Sequence, residues 1–111
     1  MKSNSAKNVS SSPLARLQNW YAAECNEDWE HSYGITIETL DNPGWLLFID
    51  LVDTSLESAS LAPTKASMSD SDWVQVEISE GRFRGTGGVT NLEQLIELFF
   101  ELVVDAHKVR P

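Results

Sequence analysis

Residues 45–52 read Trp-Leu-Leu-Phe-Ile-Asp-Leu-Val, eight positions at which Asp50 is the only polar residue. A run that is apolar on both of its alternating faces reads as a strand in the middle of a sheet. Trp45, Leu47, Ile49 and Leu51 point one way, and Leu46, Phe48 and Val52 the other. One of these two sets therefore falls on the side of the sheet that no helix covers.

Working outward, Asp41-Asn42-Pro43-Gly44 is a turn, because Asn and Asp bond locally, Pro fixes its φ angle and Gly supplies a positive one. Before it lies a strand from Tyr33 to Thr39 with Ile35 and Ile37 on one face. After the central strand, residues 54–71 are rich in Ser and Ala, contain Pro63, and read as a long mobile loop. Trp73 to Ser79 alternates Val74, Val76 and Ile78 with Gln75 and Glu77, so Trp73 is expected to face away from the helices. Glu80-Gly81 turns the chain into a short strand, Arg82 to Gly85.

Helices flank this block. Ser12-Pro13 has the form of an N-cap followed by proline at the first helical position, and Leu14, Leu17, Tyr21 and Cys25 recur at helical spacing. A polar, aromatic-bearing loop, residues 26–32, follows. Thr90 with Glu93 three positions later has the capping-box form. It opens a helix whose broad apolar face is Leu92, Leu95, Ile96, Phe99, Leu102, Val103 and Ala106. Glu93, Glu97, Glu101 and Asp105 form a stripe on its other side. The connections between the first and second strands and between the third and fourth are too short for a crossover. The expected fold is therefore α+β, a four-stranded antiparallel meander sheet with an N-terminal and a C-terminal helix packed on one face. Residues 1–12 read as a disordered tail and residues 13–108 as one domain.

Charge narrows the function. The 111 residues carry a net charge of -9, and none of the residues between Leu17 and Thr64 is Lys or Arg. That window holds nine acids: Glu24, Glu27, Asp28, Glu30, Glu38, Asp41, Asp50, Asp53 and Glu57. The eight acids and eight bases outside it cancel, so the net charge resides in one segment. Such a surface repels nucleic acid and anionic membranes and attracts basic proteins. The single cysteine, Cys25, cannot form an internal bridge. Residues 1–12 do not have the form of a signal peptide, and no run approaches the ~20 apolar residues of a membrane helix. A cytoplasmic location is expected.

Catalytic chemistry is poorly supplied. Glu27, Asp28, Glu30 and His31 bring carboxylates beside an imidazole, but neighbours in sequence rarely converge on one point, and His107 near the C-terminus is the only other histidine. Gly85-Thr86-Gly87-Gly88 precedes a helix yet lacks both the lysine of a phosphate loop and the G-x-G-x-x-G spacing. No catalytic residue, metal or cofactor is expected. The candidates for partner binding are Glu27, Asp28, Trp29, Glu30, His31, Asp41, Trp45 and Trp73, since tryptophan ringed by acid has the composition of an interface anchor. The 27–31 loop and the 41–45 turn flank opposite ends of the first strand, as the two ends of one contact surface would.

Two stretches resemble a known family. The first is Leu17-Gln18-Asn19-Trp20-Tyr21 with Cys25, Asp28-Trp29-Glu30-His31 and Tyr33-Gly34-Ile35. The second is Thr39-Leu40-Asp41-Asn42-Pro43-Gly44-Trp45, then Ile49-Asp50-Leu51 and Thr54. Together they resemble the immunity protein 53 family of bacterial polymorphic toxin systems. The resemblance covers about residues 14–104 and is weak over 55–71, where nothing is carried over. It implies a small cytoplasmic protein that neutralises a cognate toxin by binding it, and it brings no catalytic residues. An acidic adaptor that binds a basic host protein is the competing reading. An enzyme using the 27–31 carboxylates and His31 is the third.

Overall fold

The computed structural model describes residues 12–108. The elements are helix α1 (Pro13–Glu24), a short helix α2 (Trp29–Ser32), strands β1 (Ile35–Leu40), β2 (Gly44–Asp50), β3 (Thr64–Ser67), β4 (Trp73–Ser79) and β5 (Arg82–Gly87), and helix α3 (Leu92–Phe99). A π-helical turn (Phe100–Val104) then leads into α4 (Asp105–Lys108). All strand pairs are antiparallel, as expected. Apart from Ser12, the segment read as a tail lies outside the described residues. Ser12 itself caps α1, its hydroxyl accepting the Ala15 N–H at 3.1 Å.

The sheet departs from the expected four-stranded meander in two ways. It has five strands, because the stretch read as a loop (54–71) contains β3. Its order is β1-β2-β5-β4-β3, so the last strand of the chain enters at the centre, between β2 and β4. The short connections fix only the β1–β2 and β4–β5 hairpins. Glycine makes the central position workable. A Cβ at Gly85 would sit 3.2 Å from the Leu95 side chain, and one at Gly87 3.1 Å from Asn91. With hydrogen there instead, α3 settles onto the sheet.

Strand alternation sorts the side chains. Leu47, Ile49, Val74, Val76 and Phe83 form the helix-covered face with Leu95, Ile96 and Phe99, all at most 4% exposed. Leu46, Phe48, Trp73, Gln75, Glu77, Arg82 and Arg84 share the other face with Thr86. Trp73 thus faces away from the helices. Leu56 from the 54–71 stretch is also buried in the core.

Both helical segments shift from their expected phase. In α1 only Leu17 of the Leu14–Leu17–Tyr21–Cys25 stripe is buried. Trp20, one position off that stripe, is the residue whose ring meets Phe99, edge-on at 5.4 Å. In the C-terminal helix the π turn carries an extra residue per turn. Phe100, Val103 and Val104 are consequently buried, Leu102 is only half-buried and Ala106 is exposed. Arg16 secures this junction, stacking 4.3 Å above the Phe100 ring and pairing with Asp105 at 3.6 Å.

The expected capping box is also replaced. Asn91, not Thr90, stands at the N-cap, and its buried side chain bonds sideways rather than capping the helix. Its amide nitrogen donates to Asp72 at 3.0 Å and Gln94 at 2.9 Å, and its oxygen accepts the Trp73 N–H at 3.3 Å. This ties the start of α3 to the β3–β4 turn. Asn91→Ala orphans several of these partners and is expected to cost about 1–3 kcal/mol of folding stability by denaturant titration. A variant as stable as the parent would show that the network contributes only geometry.

Candidate partner-binding surface

The 26–31 loop is wired by its own polar side chains. The Asn26 carboxamide oxygen accepts the N–H groups of Asp28 at 3.0 Å and Trp29 at 2.8 Å. The Glu30 carboxylate reaches back to accept those of Asn26 at 2.9 Å and Glu27 at 2.7 Å. Glu27 takes a left-handed backbone, φ 75°. Backbone N–H groups, its own first and then those of Asn26 and Glu27, hold the Glu30 carboxyl below the usual glutamate range, and His31 adds a smaller push in the same direction.

This wiring turns Trp29 inward. Trp29 was expected at the surface as a partner anchor, but it is 4% exposed. Its indole N–H donates to the Val52 carbonyl at 2.9 Å, and its ring contacts Trp20 at 6.0 Å, Tyr21 at 6.1 Å and Tyr33 at 6.3 Å. A large ring between charged neighbours is buried here by core, not by partner. Glu27, Asp28 and His31 remain exposed around it.

The remaining three candidates lie toward the opposite end of the sheet, Asp41 in the β1–β2 turn, Trp45 opposite Thr39 of β1 and Trp73 three strands away at the start of β4. Asp41 is exposed in the β1–β2 turn. Trp45 is half-buried on the helix side, its indole N–H donating to the Val89 carbonyl at 3.0 Å. Trp73 is half-buried on the open side and lines a concavity with Asn42, Lys65, Gln75, Arg84 and Thr86. The eight candidates therefore form two groups, one toward each end of the sheet, with Trp29 and Glu30 engaged internally.

Among the described residues, Asp50 is the one acid of the base-free segment in a salt bridge, 3.1 Å from Arg82. The other Asp50 oxygen accepts the Gly34 N–H at 2.9 Å, which accounts for a carboxylate inside an otherwise apolar strand. Among the described residues no group of three or more His, Cys, Asp or Glu side chains is arranged to hold a metal, and no helix is long and apolar enough to cross a membrane.

The sequence reading missed an apolar groove between α1 and β1, lined by Leu14, Leu17, Gln18, Tyr21, Gly34 and Ile35. Its signal is present in the helical spacing of Leu14, Leu17 and Tyr21, of which only Leu17 is buried. It also missed the open-face cluster in which the Arg82 guanidinium lies 4.6 Å above the Phe48 ring.

A family model described as immunity protein 53 matches residues 14–104. No curated protein and no solved structure matches the chain.

Two outcomes follow from the loop. Trp29→Ala should lower folding stability by about 3–5 kcal/mol while the folded fraction keeps its affinity for a partner. Weakened binding at an unchanged melting temperature would return Trp29 to the interface. Glu30 supplies a pH dependence. Its folded-state pKa is depressed, so its contribution is complete above the unfolded value near 4.5 and is lost as pH falls through the lower folded value. Acid titration followed by tryptophan fluorescence should show this step in the parent protein and not in Glu30→Gln; identical profiles would contradict the wiring.

Proposed function

The chain belongs to the immunity protein 53 family, and from that premise we propose that it binds a cognate bacterial toxin domain in the cytoplasm and neutralises it, without catalysing a reaction. The observation that carries the reading is the segment from Leu17 to Thr64, which has nine acids, no base, and one salt-bridged member among the described residues. Acids left facing water without internal partners add little to folding, and their mutual repulsion opposes it. They make sense as a field that draws in a basic partner before contact and matches it afterwards.

The contact surface we assign runs along the β1 side of the molecule, from Glu27, Asp28 and His31 at one end to Asp41 and Trp45 at the other. Trp73 extends it onto the open face of the sheet. Trp29 and Glu30 serve it indirectly by holding the loop that presents Glu27 and Asp28. Binding there would block the toxin's active or substrate-binding surface by steric cover. The same acidity would suit an adaptor for a basic host protein, which is the alternative the experiment must separate.

Cells expressing the protein should survive induction of its cognate toxin domain, and the protein alone should be harmless. Deaths at the control rate would refute the immunity reading and leave the adaptor. In the purified pair, raising salt from low to physiological levels should slow association and leave dissociation nearly unchanged. Glu27→Gln, Asp28→Asn and Asp41→Asn together should slow low-salt association on the order of tenfold. A salt-independent association rate would reduce the acidic segment to a solubility feature.

A further inference from the structure

β1 and β3 are the two edges of the sheet, and they are built differently. β3 has four residues, with Pro63 directly before it and Lys65 within it. Short length, proline and lysine are the features that keep an edge from pairing with another strand. β1 has six residues, Ile35–Leu40, with no lysine or proline, and its register against β2 is unbroken. Its one charged residue is Glu38, and it lacks the lysine and proline that guard β3.

The direction of its free groups follows from one hydrogen bond. The Asp50 N–H donates to the Gly34 carbonyl at 3.0 Å, which makes 34 and 50 a hydrogen-bonded pair. In the unbroken antiparallel register Thr36 with Phe48, Glu38 with Leu46 and Leu40 with Gly44 are then also bonded pairs. The intervening residues Ile35, Ile37 and Thr39 turn their N–H and C=O groups away from the sheet. Three donors and three acceptors stand in a row about 13 Å long.

The side chains of the same three residues lie on the helix-covered face, opposite Ile49, Leu47 and Trp45. The α1–β1 groove adjoins this row at Ile35. Leu14 is 59% exposed, Tyr21 37% and Ile37 39%, so three of the five exposed large hydrophobic residues among those described lie on this edge or the helix beside it. On the other face of β1, Glu38 is exposed, and Asp41 and Asp28 stand near its two ends.

We propose that an extended segment of the partner protein joins β1 as a sixth strand. It alternates apolar with basic residues. Its backbone completes the row at Ile35, Ile37 and Thr39, its apolar side chains enter the Leu14–Tyr21 groove, and its basic side chains meet Glu38 and the flanking aspartates. The backbone bonds supply affinity and the alternating side chains supply specificity. A second copy of this chain fits less well, since each carries a net charge of -9 and pairing β1 with β1 would join two acidic edges. The inference rests on the immunity reading and adds the mode of recognition.

Ile37→Pro removes the central outward donor, and the Ile37 N–H takes no part in pairing with β2. Ile37→Lys keeps that donor and places on β1 the kind of residue that guards β3, so it tests the edge even if proline perturbs the strand. The probe is the cognate toxin domain, inactivated at its own active site and titrated calorimetrically, with Lys65→Ala on the opposite edge as control. Both Ile37 variants should bind about tenfold to a hundredfold more weakly at a melting temperature close to that of the parent, with Lys65→Ala unaffected. Parental affinity in both Ile37 variants would overturn the strand addition while leaving the immunity reading intact. No binding by the unaltered protein would overturn both. Sedimentation of the free protein as a dimer that Ile37→Pro dissociates would identify the occupant as a second copy and overturn the proposal.

Discussion

The burial of Trp29 is the contact on which the arrangement of this molecule turns. Its ring extends a column of aromatic edges that begins at Phe83 in the sheet, passes through Phe99 at 5.2 Å and Trp20 at 5.4 Å, and reaches Trp29 at 6.0 Å. The column joins a central strand, the C-terminal helix, α1 and α2. Edge-to-face rings contribute a little beyond the area they bury, on the order of 1 kcal/mol per pair. The hydrogen bond from the indole to the Val52 carbonyl adds direction, fixing where the chain leaves β2. The loop bearing Glu27 and Asp28 is held in place by the same contact.

The parts of the fold legible in the sequence were those set by local chemistry. Ser12-Pro13 marked the start of α1, the 41–44 turn joined two antiparallel strands, and alternation put Trp73 on the open face. Strand order was not legible, because the long connection between β2 and β4 leaves open which strand β2 takes as its second neighbour. Gly85 and Gly87 held the answer, as residues small enough to lie beneath Leu95 and Asn91, but a glycine-rich stretch before a helix equally suits a plain turn. β3 escaped because Thr64–Ser67 is exposed throughout and has no buried face to leave a pattern. The π turn escaped because an α-helical period of 3.6 residues continues smoothly through Leu102 and Ala106, and only packing shows that Phe100 and Val104 point inward.

The candidate surface was half legible. Acids without bases can be counted in a sequence, and the structure keeps most of them solvated. Trp29 misled because its neighbours are charged, yet those neighbours spend their polar groups on the loop: Asn26 on two N–H groups and Glu30 on two more. The β1 edge could not be seen at all. Whether an N–H points into or out of a sheet depends on which strand lies beside it, and that became known only with the register against β2.

Charge and edge divide the work of recognition in this account. The acidic segment would act over distances up to roughly a Debye length and govern how fast a basic partner arrives. The outward row of β1, which takes no part in pairing with β2, would act at contact and govern how long it stays. Amide hydrogen exchange on the unaltered protein, free and bound to its toxin, reads this division residue by residue. Fast exchange is expected at Ile35, Ile37 and Thr39 in the free protein and strong protection of the same three amides in the complex, with Thr36 and Glu38 slow in both. Protection confined to β3 or to the Glu93–Glu97–Glu101 stripe, with the β1 amides unchanged, would contradict it.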